Sequence, residues 1–524
     1  MNVSSCLRFC FLLHGLLLSA GLLMGAWLPV AGLAQETAAP VPDANRWNVL
    51  FLAIDDLRPE LGCYGTPGAH SPNLDKLAAE GVLFRNHYVQ VPTCGASRYA
   101  LLTGRSPWAS GVVNNNEAAY RGAAALQNKV LPGAQSAPEL FRRSGYRTVC
   151  LGKISHTPDG RVFAYDGSGD GRPELPNAWD ELPTPFGPWK RGWGSFFAYA
   201  GGKHRQDGKG HSDLMEFVAQ QDDDLPDGML AGAAVEQLRE LKTAGQPFFL
   251  AVGFYKPHLP FVATQADWEA FADTDLSLDA EKVDSPHWHR SGEFFRYQAP
   301  FEKTQPLSAE AVAKSRRAYY ACVRYVDRQV GRVLQELEDL DLADRTVVVV
   351  WGDHGWHLGE QQIWGKHSPF ERANRSVLLM RVPGQTGAQV QAKGGIVTDA
   401  LAESIDLYPT LIDLCRPSFQ KTAWPLSGQS LVPVLTGTAD AGRQAALSYW
   451  GKTVSIRTAS QRLIWDRKSD RCELYDMTKD PEQTTDLATA RPITVARLKA
   501  LAEERWRQDA GAAGPSDTEG KPGG

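Results

Sequence analysis

NVLFLAIDD, residues 48–56, is a short, continuous and largely apolar run that stops on two adjacent carboxylates. A run of that length with no polar alternation is what a parallel strand buried on both faces requires, and its last residues then sit at the carboxyl edge of a sheet. Working outward, three more segments repeat the pattern. Residues 146–151 (YRTVCL) lead to Gly152, Lys153 and His156, and residues 247–254 (PFFLAVGF) lead to Lys256, Pro257 and His258. Residues 346–351 (TVVVVW) lead to Gly352, Asp353 and His354. Helical patterns at 72–80, 137–144, 229–243 and 309–340 lie between them. Strands alternating with helices predict an α/β fold built on a large, mostly parallel sheet with helices on both faces. Ligands of such a sheet bind beyond the carboxyl ends of its strands. The four predicted strands therefore deliver acids and bases to one rim.

From about residue 428 the pattern changes to short β-prone pieces (LSYWG, SIRTAS, RLIWD, CELYDM) separated by turns, then a helical stretch near 495–507. This predicts a small C-terminal α+β subdomain with an antiparallel sheet. The expected organisation is a signal peptide at 1–34, a linker at 35–46, a catalytic domain at 47–427, the subdomain at 428–508 and a disordered tail at 509–524. The chain has 524 residues, 43 % hydrophobic and 22 % charged, enough to bury a large core, and its net charge of −5 argues against a nucleic-acid partner.

Residues 94–105, CGASRYALLTGR, place a thiol, small residues and arginines close together. Helix formers run from Ala96 to Leu102 until Thr103 and Gly104 end them, so Cys94 is expected at a helix N-terminus. The unpaired N–H groups there favour a thiolate, an oxyanion or a bound anion, and Arg98, one turn on, reaches back toward position 94. The stretch resembles the signature of the sulfatase family, Cys-x-Pro/Ala-Ser-Arg followed by Thr-Gly-Arg, with Ala96 where proline is commoner. GKISH at Gly152, FFLAVGFYKPHLPF at Phe248, WGDHGWHLGE at Trp351 and WGKHSPF at Trp364 are similar to the iduronate 2-sulfatase branch of that family. The resemblance implies an alkaline phosphatase/sulfatase-like fold and a Cys94 oxidised after translation to formylglycine by a formylglycine-generating or equivalent maturation enzyme. Hydrated, the aldehyde offers one hydroxyl to attack sulfur and another to expel sulfate by C–O cleavage, so the side chain is regenerated.

Asp55, Asp56 and Asp353 supply the oxygen donors a hard divalent cation takes, and the side chain at 94 adds another. His354 joins them by resemblance, because the branch carries Asp-His-Gly-Trp where many sulfatases have asparagine. Carboxylates on separate strands suit the flexible geometry of calcium, with magnesium the alternative. Three carboxylates, a divalent ion and the cations Arg98, Lys153 and Lys366 leave a local surplus of two positive charges, fit for an ester sulfate. Lys153 and Lys366 match the family's sulfate-binding positions. His258 resembles the proton donor to the leaving alcohol and His156 the base that deprotonates the diol. The aromatic stretch FGPWKRGWGSFFAY (186–199) and His287-Trp288-His289 are read as packing beneath loops, with a sugar cleft lined by ring stacking as the alternative.

Arg8, the apolar run after it and Gly32-Leu33-Ala34 resemble a secretory signal, which predicts export to a periplasmic, secreted or lysosome-like compartment. An uncleaved membrane anchor is the alternative. Six cysteines remain after the signal, and most are expected as buried free thiols. The leading expectation is a sulfatase acting on a sulfated carbohydrate, plausibly a uronate 2-O-sulfate. The alternatives are a phosphate or phosphonate monoester hydrolase and an inactive sulfated-glycan binder.

Overall fold

The computed structural model describes residues 46–113, 119–278, 289, 291–384, 395–438 and 442–512. The signal peptide, nearly all of the linker, and the tail beyond 512 lie outside the described residues. Seven strands form the main sheet: β1 (Asn48–Ile54), β2 (Val82–Tyr88), β3 (Arg147–Gly152), β4 (Phe248–Phe254), β5 (Thr346–Gly352), β6 (Leu378–Arg381) and β7 (Ile396–Glu403). Their order is β7-β2-β6-β5-β1-β4-β3. Every pairing is parallel except those of β6, which runs antiparallel to β5 and to β2. The four strands expected from the sequence form within a residue of their predicted ends. The other three were not expected, for reasons visible in their composition. Arg85 and Asn86 interrupt β2, β6 spans only LLMR, and β7 (IVTDALAE) carries a register shift between Thr398 and Leu401.

β1 is buried along its whole length because each face enters a different core. Leu50, Leu52 and Ile54 pack on one side with Val348, Val350, Leu250 and Val252. Val49, Phe51 and Ala53 pack on the other with Val347, Val349, Phe249 and Ala251. The first core is closed by α1 (Pro72–Glu80), α4 (Pro226–Ala244) and the long α5 (Ala309–Asp339); the second by α2 (Cys94–Thr103) and α3 (Ala137–Arg143). Helix starts follow their capping residues: the Ser136 hydroxyl accepts the Glu139 N–H and the Ser308 hydroxyl accepts the Ala311 N–H.

The C-terminal part forms the antiparallel sheet β8 (Ala446–Trp450), β9 (Thr453–Arg457), β10 (Gln461–Asp466) and β11 (Cys472–Asp476), followed by α6 (Pro492–Ala512). Leu447, Val454, Ile456, Leu463 and Leu498 share the second core with β1, so the main sheet and this subdomain are packed as one body. The helix continues beyond the expected tail boundary at 509. Asp509 is buried and accepts a hydrogen bond from the Ser106 hydroxyl, which ties the end of α6 to the main part. Among the described residues all six cysteines are free, and Cys94, Cys150, Cys322 and Cys415 are buried, as expected. No helix of the described residues is long and apolar enough to cross a membrane.

Candidate active site

The rim of the sheet gathers the predicted residues around Cys94. Cys94 is the first residue of α2, after the extended Thr93, and Gly104 ends the helix at φ 67°. Asp55 and Asp56 follow β1, Lys153 follows β3, His258 lies just past β4, and Asp353 and His354 follow β5. Gly152 makes the turn that directs Lys153 inward. Its φ is 70°, and a Cβ there would lie 2.1 Å from the Gly253 carbonyl oxygen, so only glycine fits.

Asp56 also takes a left-handed conformation, φ 62°, which few residues with a side chain adopt. Its neighbours hold it there. The Asp56 N–H donates to Asp353 Oδ1 at 2.9 Å, and the Tyr319 hydroxyl on α5 donates to the Asp56 carbonyl at 2.8 Å while accepting the Arg58 N–H at 3.0 Å. Asp55 and Asp56 thereby point the same way. The Cys94 thiol donates to Asp55 Oδ1 at 3.3 Å, His354 Nε2 lies 3.3 Å from the sulfur, and Lys366 Nζ donates to it at 3.4 Å.

The cations pair with the acids. Lys153 donates to Asp55, and Lys366 donates to Asp56 Oδ1 at 2.9 Å. Arg98 donates through Nε to Asp353 Oδ2 at 2.9 Å, lies 3.7 Å from Asp55 Oδ1, and also bonds the carbonyls of Lys153 and Ile154. It therefore braces the acids and the β3 loop. His258 Nδ1 donates to the Leu259 carbonyl at 2.6 Å, so Nε2 faces Glu293 Oε1 at 3.4 Å and Asp56 Oδ2 at 3.9 Å. His156 packs edge-on against Trp193, with its buried Nδ1 lacking a partner among the described residues.

The electrostatics follow from burial and these neighbours. Burial raises the Asp55 carboxyl, but the Lys153 and Arg98 charges override it and hold the group well below the usual carboxylate range. Burial and the adjacent Asp55 push Asp353 up to about 6. Burial lowers His354 to about 4, which keeps its imidazole neutral. Of the thiolate, oxyanion or bound anion that the helix terminus favours, the thiolate is opposed here: burial and the Asp55 charge push the Cys94 thiol well above its ordinary value against the pull of Lys153 and Lys366.

Donor chemistry fits a divalent cation. Asp55, Asp56, Cys94 and His354 each offer a ligand atom, all within 4.8 Å of one another. His354 Nδ1 donates to the Gly355 carbonyl at 3.0 Å, which leaves the Nε2 lone pair turned toward the carboxylates, and Asp56 Oδ2 is buried with no hydrogen-bond partner among the described residues. Asp353, expected in the same set, stands beside this group, its two oxygens taken up by the Asp56 N–H and by Arg98.

Two neighbours were not expected. Glu293 lies 3.4 Å from both Lys366 Nζ and His258 Nε2, and no motif marks it in SGEFF. Tyr319 reads as one apolar position of α5; its burial implies a partner for the hydroxyl, but its direction is not legible. Most of the 186–199 aromatics are buried, and Trp193, edge-on to His156, and Phe196, 4.6 Å from the His258 ring, border the site. Trp189, Trp193, Phe196, Phe197 and Tyr199 are buried, Phe186 is exposed, and Lys153 Nζ sits 4.0 Å over the Phe196 ring. His289 is buried against Glu473 at 3.0 Å, while 287 and 288 lie outside the described residues.

The sulfatase family profile matches residues 47–416. The iduronate 2-sulfatase of Mus musculus is 32 % identical over 431 residues, covering 76 % of this chain and 73 % of that protein. Its Homo sapiens counterpart is 31 % identical over 421 residues, covering 78 % and 71 %. Among solved structures, a phosphonate monoester hydrolase of Agrobacterium radiobacter superposes with a TM-score of 0.68 at 21 % identity, over 88 % of this chain and 96 % of that one, a likeness of fold.

Proposed function

The chain belongs to the sulfatase family and is a sulfuric ester hydrolase, and from that premise we propose that its substrate is a sulfated carbohydrate carrying a uronate 2-O-sulfate. The observation that carries the reading is the meeting of Arg98, Lys153, Lys366 and His258 around Cys94, beside four donors suited to a divalent cation. The similarity to two iduronate 2-sulfatases supports the choice of sugar.

Asp55, Asp56, His354 and residue 94 would hold the cation, with Asp353 as the fifth ligand the family resemblance adds. Calcium suits this set, and magnesium is the alternative. When bound, the ion supplies positive charge to the ester oxygens, and residue 94, once oxidised to formylglycine by its maturation enzyme and hydrated, supplies the hydroxyl that attacks sulfur. Lys153 and Lys366 bind the sulfate oxygens. Arg98 keeps the side chain at 94 and the β3 loop in place. His258 gives a proton to the departing alcohol, and His156, neutral because burial and the Lys153 charge keep its pKa well below its ordinary value, accepts one as sulfate leaves. The raised pKa of the Cys94 thiol agrees with a cysteine that serves as precursor to the nucleophile. The enzyme works in an exported compartment, periplasmic, secreted or lysosome-like, with anchoring by the N-terminal segment as the alternative.

The test is sulfate release from a panel of defined sulfated saccharides, with an aryl phosphate at equal concentration beside an aryl sulfate. The expected outcome is fastest release from the terminal 2-O-sulfated uronate and at least tenfold slower phosphate cleavage. Preference for a hexosamine sulfate would overturn the choice of sugar, and faster phosphate cleavage would overturn the reaction.

A further inference from the structure

Outside the Cys94 cluster the molecule carries a second cationic hollow. A cleft of about 340 Å³ lies between β2, the 371–375 segment and the 477–482 segment of the C-terminal part. Arg58, Arg85, Arg372, Arg375 and Arg457 line it, against two lining carboxylates, Glu371 and Glu482. No lining residue belongs to the Cys94 cluster.

Three of these guanidinium groups are already matched. Arg58 pairs with Glu60 and with Glu360 at 2.8 Å, Arg372 with Glu482 and with Glu60 at 3.4 Å, and Arg457 with Glu371 at 3.3 Å. The other two differ. Arg375 donates its Nε to the Arg85 carbonyl at 2.6 Å and makes no direct ion pair among the described residues, its charge reaching Glu371 more weakly than those of Arg462 and Arg457. Arg85 meets Asp399 at 3.3 Å, but the two side chains are 54 % and 73 % exposed, and an ion pair so open to water contributes little. The Arg375 Nε bond to the backbone of Arg85 fixes its guanidinium beside that residue. Two planar forks lining one cleft, neither held by a buried ion pair, are suited to bidentate recognition of an oxyanion. A volume in the range of small-ligand clefts exceeds what a single sulfate fills, and Pro59, Met477 and Pro481 give the wall an apolar part on which a sugar ring can lie.

We infer that this cleft is an anion subsite, in which Arg85 and Arg375 take a sulfate or carboxylate group of a sulfated saccharide remote from the ester being cleaved. The inference rests on the saccharide reading above. It is tested by calorimetric titration of the Cys94→Ala protein, with and without Arg85→Gln/Arg375→Gln, using a sulfated uronate-containing tetrasaccharide, its desulfated form and inorganic sulfate. Aryl sulfate turnover by the double variant with Cys94 intact reports on folding and chemistry, and Arg375→Lys serves if the double variant does not fold.

The expected result is a tenfold or greater loss of tetrasaccharide affinity in the variant, aryl sulfate turnover within twofold of the parent, and weak binding of the desulfated form. Equal tetrasaccharide affinity in parent and variant would overturn the subsite. So would a parent that binds inorganic sulfate as tightly as the tetrasaccharide, since the cleft would then hold an ion only. If the parent does not bind the tetrasaccharide at all, the saccharide reading fails; inorganic sulfate binding that disappears with the two arginines would still uphold an anion site.

Discussion

Asp56 occupies a backbone conformation that costs on the order of 1 kcal/mol or more for a residue with a side chain, and the surrounding hydrogen bonds offset that cost. The Tyr319 hydroxyl on α5 is one of these supports, donating to the Asp56 carbonyl and accepting the Arg58 N–H. Tyr319→Phe removes both bonds without opening a cavity. The expected stability loss is about 1–2 kcal/mol in denaturant unfolding. After chelation, the divalent-cation concentration needed for half-maximal activity should rise roughly 10–100-fold, as for other supports of metal ligands. Unchanged cation dependence would mean that the tyrosine does not position Asp56. At this scale Asp55, Asp56, Lys153, His258 and Asp353 were legible as residues just past apolar strands, while the ligand role of His354 came from the family resemblance. Glu293 and Tyr319 were not, since a loop glutamate and a helix tyrosine carry no sign of what they face. Of the species a helix terminus favours, the thiolate is opposed at position 94 because burial and the Asp55 charge raise the thiol pKa.

Glu371 shows what joins one element to another. It accepts from the Tyr88 hydroxyl on β2 at 2.9 Å, from Arg457 on β9 at 3.3 Å and from Arg462 on β10, so one carboxylate links the main sheet to the C-terminal sheet. Burial acts to raise its pKa, but Arg462 and Arg457 override it and hold the group at about 2. A folded pKa below the unfolded value near 4.5 means stability that is complete above about pH 4.5 and is lost as pH falls toward 2. The full difference is about 3 kcal/mol. Denaturant unfolding from pH 6 to pH 2 should therefore show a gap between the parent and Glu371→Gln that shrinks across that window. Subtraction also cancels the opposite contribution of Asp227 and Asp327, which burial raises to about 6. A gap independent of pH would contradict the linkage. The strands that escaped the sequence reading were those diluted by polar residues, only four residues long, or broken by a register shift, all cases where hydrophobic pattern competes poorly with tertiary pairing.

Across the whole molecule, a chain of net charge −5 still gathers Arg98, Lys153 and Lys366 at the Cys94 rim and five arginines in the second cleft. Alternating strands and helices made the architecture legible, because a buried parallel sheet leaves few other ways to cover its faces. The boundary near 427 marks a change of sheet type; the core continues through it, since Leu447 and Ile456 pack in one cluster with Val49 and Phe51. That continuity depends on contacts between distant segments, which no local pattern carries. The central claim is that residues from four strand ends serve one oxidised side chain. Mass spectrometry of the peptide containing residue 94, from protein made with its maturation enzyme and assayed on an aryl sulfate, tests it most directly. The predicted result is an aldehyde fraction that rises and falls in proportion to turnover across preparations; full turnover from protein whose Cys94 is wholly unmodified would contradict it.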